Sequence, residues 1–247
     1  MSARNSVSFV VPCFNEEENV AATVQSIRQA VGNSCEYEII LVDDCSLDRT
    51  WACMQDLAAA GPRVRALRNE ANRGLGGTYK RGMAAARMEY VILVPGDDGF
   101  PAGSIAEILS HAGKADIIIP EIMNSGVRTP LRVLVSRGFT ALVNTLFWLD
   151  VRYYNGAVLH RTKLIQGTEI TTDSFAYQAE ALVKLIAGGA SYMHCQVRIQ
   201  ERVGGQSSAL RFKNQMAVLK TILHLIGAVG LFRLRSRRSH RRHATIS

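Results

Sequence analysis

Two pairs of adjacent carboxylates carry the first chemical signal, Asp43 and Asp44 in "LVDDCSLDRT" and Asp97 and Asp98 in "ILVPGDDGFP". Each pair follows an apolar run that reads as a buried strand, where an uncompensated charge is costly to desolvate. A bound cation or polar ligand removes that cost. Hard carboxylate oxygens suit Mg2+ or Mn2+, which in turn neutralise a diphosphate, so Asp97 and Asp98 are candidate metal ligands. Gly96 and Gly99 let the backbone turn tightly around them, and a solvated turn is the competing reading of either pair alone. Two more polar clusters follow apolar runs: "CFNEEEN" from Cys13 and "NEANRGLGG" from Asn69. The glycines of the latter permit close packing or phosphate approach, but the loop has neither GxGxxG spacing nor a P-loop Lys-Ser/Thr, which argues against a dinucleotide or ATP site.

The elements that must position these clusters are legible as alternating patterns. Residues 7–12, 37–42, 63–67, 89–95 and 115–120 are short runs rich in Val and Ile, predicted as strands. Segments 17–31, 47–60 and 75–87 between them have the length of helices. Continuous apolar strands joined by helical crossovers predict an α/β fold, a mostly parallel sheet covered on both faces. Such sheets bind ligands at the carboxyl ends of their strands, so all four polar clusters are expected on one rim. From Arg128 the pattern changes to a basic amphipathic helix ending near Leu149, then a strand or loop over 151–161, a helix over 174–189 and a strand over 191–199.

Composition bounds the rest. The 247 residues are 47% hydrophobic, enough for a packed core, and no linker or internal repeat divides them. Of the +8 net charge, much lies in Arg233, Arg235, Arg237, Arg238, Arg241 and Arg242. Five cysteines, an odd number without CxxC spacing, indicate reduced thiols rather than a disulfide framework or zinc site, and the first residues lack the regions of a signal peptide. Residues 216–234 form an apolar stretch interrupted by Lys220 and His224, predicted as an amphipathic helix lying in a membrane interface ahead of the basic tail. A core-packing helix with a solvated tail is the alternative.

A site with acids for a base and ribose, a metal for a diphosphate and cations for departing charge suits a nucleotide-sugar donor. "VSFVVPCFNEEENV", "YEIILVDDCSLDRT", "RNEANRGLGGTYKRGM" and "YVILVPGDDGFP" resemble, in order and spacing, the nucleotide-binding half of family 2 glycosyltransferases of the GT-A fold. "LVSRGFTALVNTLF", "YNGAVLHRTKLI", "FAYQAEALV" and "ERVGGQSSALRF" resemble the dolichyl- or polyprenyl-phosphate sugar synthases, dolichol-phosphate mannosyltransferase-like members of that family. The resemblance implies a GT-A domain over residues 1–212, with a nucleotide-sugar half at 6–122 and an acceptor half at 123–212, followed by the helix and tail at 213–247. It places Pro12, Phe14, Glu16, Val42 and Asp44 in the nucleotide pocket, with Asp43 assisting. It makes Asp97 the last acid of the D-x-D metal motif, Arg202 the arginine on the donor phosphates, and Arg132 and Arg137 phosphate-binding residues of the acceptor helix.

Departures from the family pattern are specific. Pro95 stands where the first D-x-D acid belongs, Gly99 replaces a glutamine, Ser208 replaces a lysine, and an arginine expected after the fifth strand is missing near Glu121 and Ile122. "YQAE", with Gln178 and Glu180, matches the lipid-phosphate synthases, whereas Asp173 in "TTDSF" is either a helix N-cap or the general base of a transferase acting on a sugar hydroxyl. The expectation is therefore an inverting, Mg2+- or Mn2+-dependent hexosyltransferase, peripheral on the cytosolic membrane face, using a nucleotide-diphosphate sugar and a polyprenyl phosphate and binding no nucleic acid. The alternatives are transfer to a saccharide hydroxyl with Asp173 as base, and a non-enzymatic basic module binding membrane or nucleic acid through its tail.

Overall fold

The computed structural model describes residues 5–124, 130–174 and 176–200. The chain runs β1 (Ser6–Cys13), α1 (Val20–Val31), β2 (Glu36–Asp43), α2 (Thr50–Ala59), β3 (Val64–Arg68), α3 (Gly74–Ala85) and β4 (Tyr90–Leu93). It continues through α4 (Ala102–Ser110), β5 (Ile117–Ile122), α5 (Pro130–Phe147), β6 (Leu159–Arg161), α6 (Thr162–Gln166), α7 (Tyr177–Ala187) and β7 (Tyr192–Val197). The strands form one sheet in the order β3-β2-β1-β4-β6-β5-β7. β1 to β4 are parallel, β6 is antiparallel to both β4 and β5, and β7 lies parallel to β5.

The two-residue period of the strands creates two cores. Val7, Phe9 and Val11 of β1 pack with Ile39 and Leu41 of β2 under α1, α2 and α4. Val10, Ile40 and Val42 face the other way and pack beneath α3, α5, α6 and α7. Both faces are buried, which is why these strands read as continuous apolar runs. Pro12 sits in the central strand because its carbonyl faces the β4 side, accepting from Gly96 N at 3.1 Å beyond the end of β4. The donor that proline lacks would point to that same side, past the last β4 residue.

The structure trims several predicted elements. The first helix begins at Val20 rather than Glu17, because Glu16 and Glu17 are held by the β2–α2 loop: Glu16 N donates to Thr50 Oγ1 (2.7 Å) and Glu17 N to Asp48 Oδ2 (3.3 Å). The second begins at Thr50 rather than Leu47, and the third ends at Ala85, where Arg87 N donates instead to Glu38 Oε1 at 2.8 Å. Helices α4 and α6 went unread in the sequence, and the ambiguous stretch before Arg161 contributes only the short strand β6. The domain boundary near 212 and the amphipathic helix and tail lie outside the described residues.

Two features give direct tests of the packing. A Cβ added to Gly82, on α3, would overlap Val10 Cγ1 and come within 3.1 Å of Val42 Cγ2. Valine cannot swing aside freely, so Gly82→Ala should cost about 1–3 kcal/mol, read as a lowered denaturant midpoint. His160 of β6 is buried against Gln178, and burial pushes its pKa down to about 3. Above its ordinary 6.5 the ring is neutral in both folded and unfolded chains; below it, only the unfolded chain gains the proton, so stability falls as pH drops from 6.5 toward 3. His160→Gln removes that term, and the stability gap between the two proteins should shift by about 1–2 kcal/mol in favour of the variant between pH 7 and 5. A gap that stays constant across that range would mean the folded ring titrates normally.

Candidate active site

Strand register builds the site before any side chain does. Cys13 of β1 pairs with Asp43 of β2, and Asp43 with Arg68 of β3, so three strand ends stand abreast. The ladder continues one step past them, with Asp44 N donating to Cys13 O and Asn69 N to Asp43 O, both at 2.8 Å. On the other side, Val94 N bonds Val10 O and Gly96 N bonds Pro12 O, which lays the Asp97 turn alongside Cys13. Gly96 is required there, since a Cβ would strike Cys13 Sγ. The four clusters share one rim, as expected for the carboxyl ends of parallel strands.

Asp44 is buried and its carboxylate is fully engaged. Oδ1 accepts from Asn69 Nδ2 and Arg73 N, each at 2.8 Å, and Oδ2 from Gly74 N at 2.9 Å. Arg73 and Gly74 begin α3, whose N-cap residue contributes no side-chain cap of its own. A carboxylate from β2 therefore caps α3 and offsets its positive end. Asp43 is also buried; Oδ1 accepts from Ser46 N at 3.1 Å, while Oδ2 lies 3.0 Å from Arg68 Nε in an ion pair without hydrogen-bond alignment. Arg68 also lies over the Trp51 ring, 5.5 Å from its centroid. Val42 is wholly buried and packs in the core above Gly82, whereas Phe14 is exposed at the rim and Glu16 is bonded to Asn19 Nδ2 at 2.9 Å.

The second acid pair diverges. Asp97 is only 6% exposed, and its Oδ1 accepts from Gly99 N at 3.0 Å. Asp98, with φ of 50°, turns the other way: Oδ1 accepts from Ser26 Oγ of α1 at 2.8 Å and Oδ2 from Gln200 Nε2 at 2.9 Å. Gln200 N also donates to Gly99 O at 3.1 Å, so the last described residues run against this turn. Arg202 lies outside the described residues.

The electrostatic character of the rim is recorded by Cys13. Its buried thiol is pushed well above the usual range, first by burial and then by the surrounding Glu16, Asp43, Asp97 and Asp48. Carboxylate oxygens in a field of that sign fit a hard divalent cation. No three His, Cys, Asp or Glu side chains gather into a metal cage among the described residues.

On the acceptor side the structure corrects one reading and sharpens another. Asp173 does not cap α7, whose N-cap is Ala176 without a side-chain hydrogen bond. Its carbonyl instead accepts from Gly76 N at 3.1 Å, and its carboxylate, 48% exposed, pairs with Lys80 Nζ at 2.5 Å. A Cβ on Gly76 would collide with the Asp173 backbone at 2.8 Å, so the glycines of "NRGLGG" serve close packing between the two halves. Glu180 fixes this loop: it accepts from Thr171 N (3.0 Å), Thr171 Oγ1 (2.9 Å), Thr172 N (3.0 Å) and Lys184 Nζ (2.6 Å). Burial alone would raise its pKa, yet these donors hold it below the usual range. Gln178 lies in the core, its Nε2 3.0 Å from His160 Nε2, away from the rim. Arg137 is exposed on α5; Arg132 lies on the same helix, its side chain outside the described set.

Sequence reasoning missed three contributors. Asn69, buried, links Asp44 to Thr78 Oγ1 (3.0 Å) and accepts from Arg81 Nη1 (2.9 Å). Arg68 neutralises Asp43, and Lys80 neutralises Asp173. Asn69 follows a strand just as the acids do, a signal that could have marked it; nothing linear connects Lys80 to Asp173, since the contact exists only through the crossover.

Comparison with known proteins follows the same outline. Dolichol-phosphate mannosyltransferase of Pyrococcus furiosus is 27% identical over 187 residues, 72% of this chain and 52% of that protein, so the chain spans about half the length of this relative. Undecaprenyl-phosphate 4-deoxy-4-formamido-L-arabinose transferase of Pseudomonas paraeruginosa is 26% identical over 91% of the chain and 68% of its own length. In fold, the chain matches glucosyl-3-phosphoglycerate synthase of Mycobacterium tuberculosis, solved with Mn2+ and UDP, at a TM-score of 0.68 and 16% identity over 90% of the chain and 80% of that structure. The architecture is thus the GT-A-like α/β fold. Residues 8–184 match the profile of Glycosyl transferase family 2, and with most of its length inside that match the chain belongs to this family.

Proposed function

We propose that the chain transfers a sugar from a nucleotide-diphosphate sugar to a polyprenyl phosphate at the cytosolic face of a membrane. The observation that carries the donor half of this reading is the placement of Asp97 beside Cys13, Asp43 and Asp44 on one buried, acidic rim. The acceptor half draws on relatives named for dolichol-phosphate and undecaprenyl-phosphate substrates. Asp97 would hold a Mg2+ or Mn2+ ion, which supplies neutralisation of the donor diphosphate. Asp98 would join it only by giving up Ser26 and Gln200.

In this mechanism the rim binds and orients. Pro12, Phe14 and Glu16 line the nucleotide pocket with the Val42–Asp44 strand end, and the capped start of α3 keeps that pocket in shape. A phosphate oxygen of the lipid attacks the anomeric carbon as the bond to the nucleoside diphosphate breaks, with inversion. The lipid phosphate is already an oxyanion at neutral pH and needs no general base. Arg132 and Arg137 attract it, and Arg202 stabilises the leaving diphosphate. The six arginines that follow residue 232 would add attraction to an anionic membrane surface.

One observation favours a second reading. Asp173 is half-exposed beside the glycines of α3, so its carboxylate is open to a hydroxyl that would displace Lys80. The two readings part on Asp173→Asn: a lipid-phosphate enzyme keeps most of its turnover, while a hydroxyl-directed enzyme loses it with donor binding intact.

A thermal-shift screen of UDP-, GDP- and dTDP-sugars with and without Mn2+ should find one donor that stabilises the protein in a metal-dependent way. Asp97→Ala should abolish that dependence and lower transfer to polyprenyl phosphate roughly a hundredfold or more. Full activity in Asp97→Ala, or no response to any sugar nucleotide, would overturn the proposal.

A further inference from the structure

We propose that the outward face of α5 is a membrane-docking surface that lies flat on an anionic lipid bilayer. At about 100° per residue, Leu131, Val135, Gly138, Leu142 and Leu146 fall in one stripe, with Leu134 at its edge. Leu134 is 68% exposed, and Leu131, Val135, Leu142 and Leu146 are exposed as well, whereas Val143 and Phe147 on the opposite side are buried in the core. The helix is thus apolar on both sides, although only one of them is covered by described residues. Trp148, directly after the helix, is 85% exposed, at a position suited to the headgroup level.

Charge selects the occupant. Residues 123–149 contain Arg128, Arg132 and Arg137 and no acid. Arg137, exposed on the same helix, lies beside the apolar stripe, as a cation of a helix half-sunk in an interface does when it reaches the headgroups. A second copy would set these arginines against their own counterparts. Residues 201–247 are no better complement, with ten Lys and Arg to a single acid, Glu201. No described helix is long and apolar enough to cross a membrane, and α5, at 18 residues, fits an in-plane position.

Lipid binding by this face is separate from catalysis, though its use rests on the lipid-phosphate reading: a flat α5 would bring Arg132 and Arg137 to the depth of an acceptor's phosphate. The test uses the full chain and vesicles free of prenyl phosphate, so its outcome is independent of donor and acceptor identity. The chain has two tryptophans, and Trp51→Phe leaves Trp148 as sole reporter. With phosphatidylglycerol–phosphatidylcholine vesicles, Trp148 emission should shift to the blue and be quenched by brominated acyl chains, with little response to phosphatidylcholine alone. Leu134→Glu/Leu142→Glu should weaken partitioning roughly tenfold or more while the far-UV spectrum and thermal midpoint stay unchanged. The idea is overturned if Trp148 is silent while the chain floats with vesicles, since the tail would then bind alone. It is equally overturned if the double variant binds like the parent, or if its effect is to turn a dimer into a monomer. Should the double variant fail to fold, quenching of Trp148 in the otherwise intact chain decides the question.

Discussion

The carboxylate of Asp44 is the constraint on which the rest of the site depends. It is buried, charged and held by three donors from the loop that opens α3. Removing one donor would strand a charge in a poorly solvated place, so the loop has little freedom to move. The start of α3 then dictates where Gly76 lies, and Gly76 N in turn holds the Asp173 carbonyl at 3.1 Å. From there Lys80 takes the Asp173 carboxylate and Glu180 takes the preceding threonines. A continuous chain of polar contacts runs from the nucleotide side of the sheet to the acceptor side, without a linker between them.

This arrangement changes the meaning of a carboxylate at a strand end. Asp43 and Asp44 could be read equally as ligand contacts or as architecture, and the geometry gives both architectural partners. That does not remove them from a donor pocket. It means that a ligand meets them already aligned, with Arg68 and the first amides of α3 setting their orientation. Asp97 has a local contact, the Gly99 amide at Oδ1, and shares with Glu16, Asp43 and Asp48 the negative field felt by Cys13.

The parallel half was legible because burial on both faces leaves its mark on composition: every residue of β1 from Val7 to Val11 is buried, and the apolar run records it. The acceptor half was less legible for a physical reason. β6 is three residues long and antiparallel, wedged between β4 and β5, so it has neither length nor alternation to announce it. Gln178 and Glu180 are polar residues on a helix that is buried along most of its length. A polar side chain there looks like a surface or a site until its partners, His160 and the 171–172 loop, are known. Asp173 failed as an N-cap because its carboxylate is taken by Lys80 across the fold, while the amide of Ala176, just before α7, donates to Ser174 Oγ instead.

The two halves also treat unfavourable surface in opposite ways. The parallel half buries Asp43, Asp44 and Asp97 and gives Asp43 and Asp44 amide, side-chain and arginine partners. Groups held in place in this way need no rearrangement when charge develops on a bound ligand. The second half, among the described residues, leaves apolar surface in view on α5, a helix whose inner face is anchored by Val143 and Phe147. Helix α5 joins the two treatments: its inner face is fixed by the same core that supports α3, while its outer face is left uncovered by the described residues.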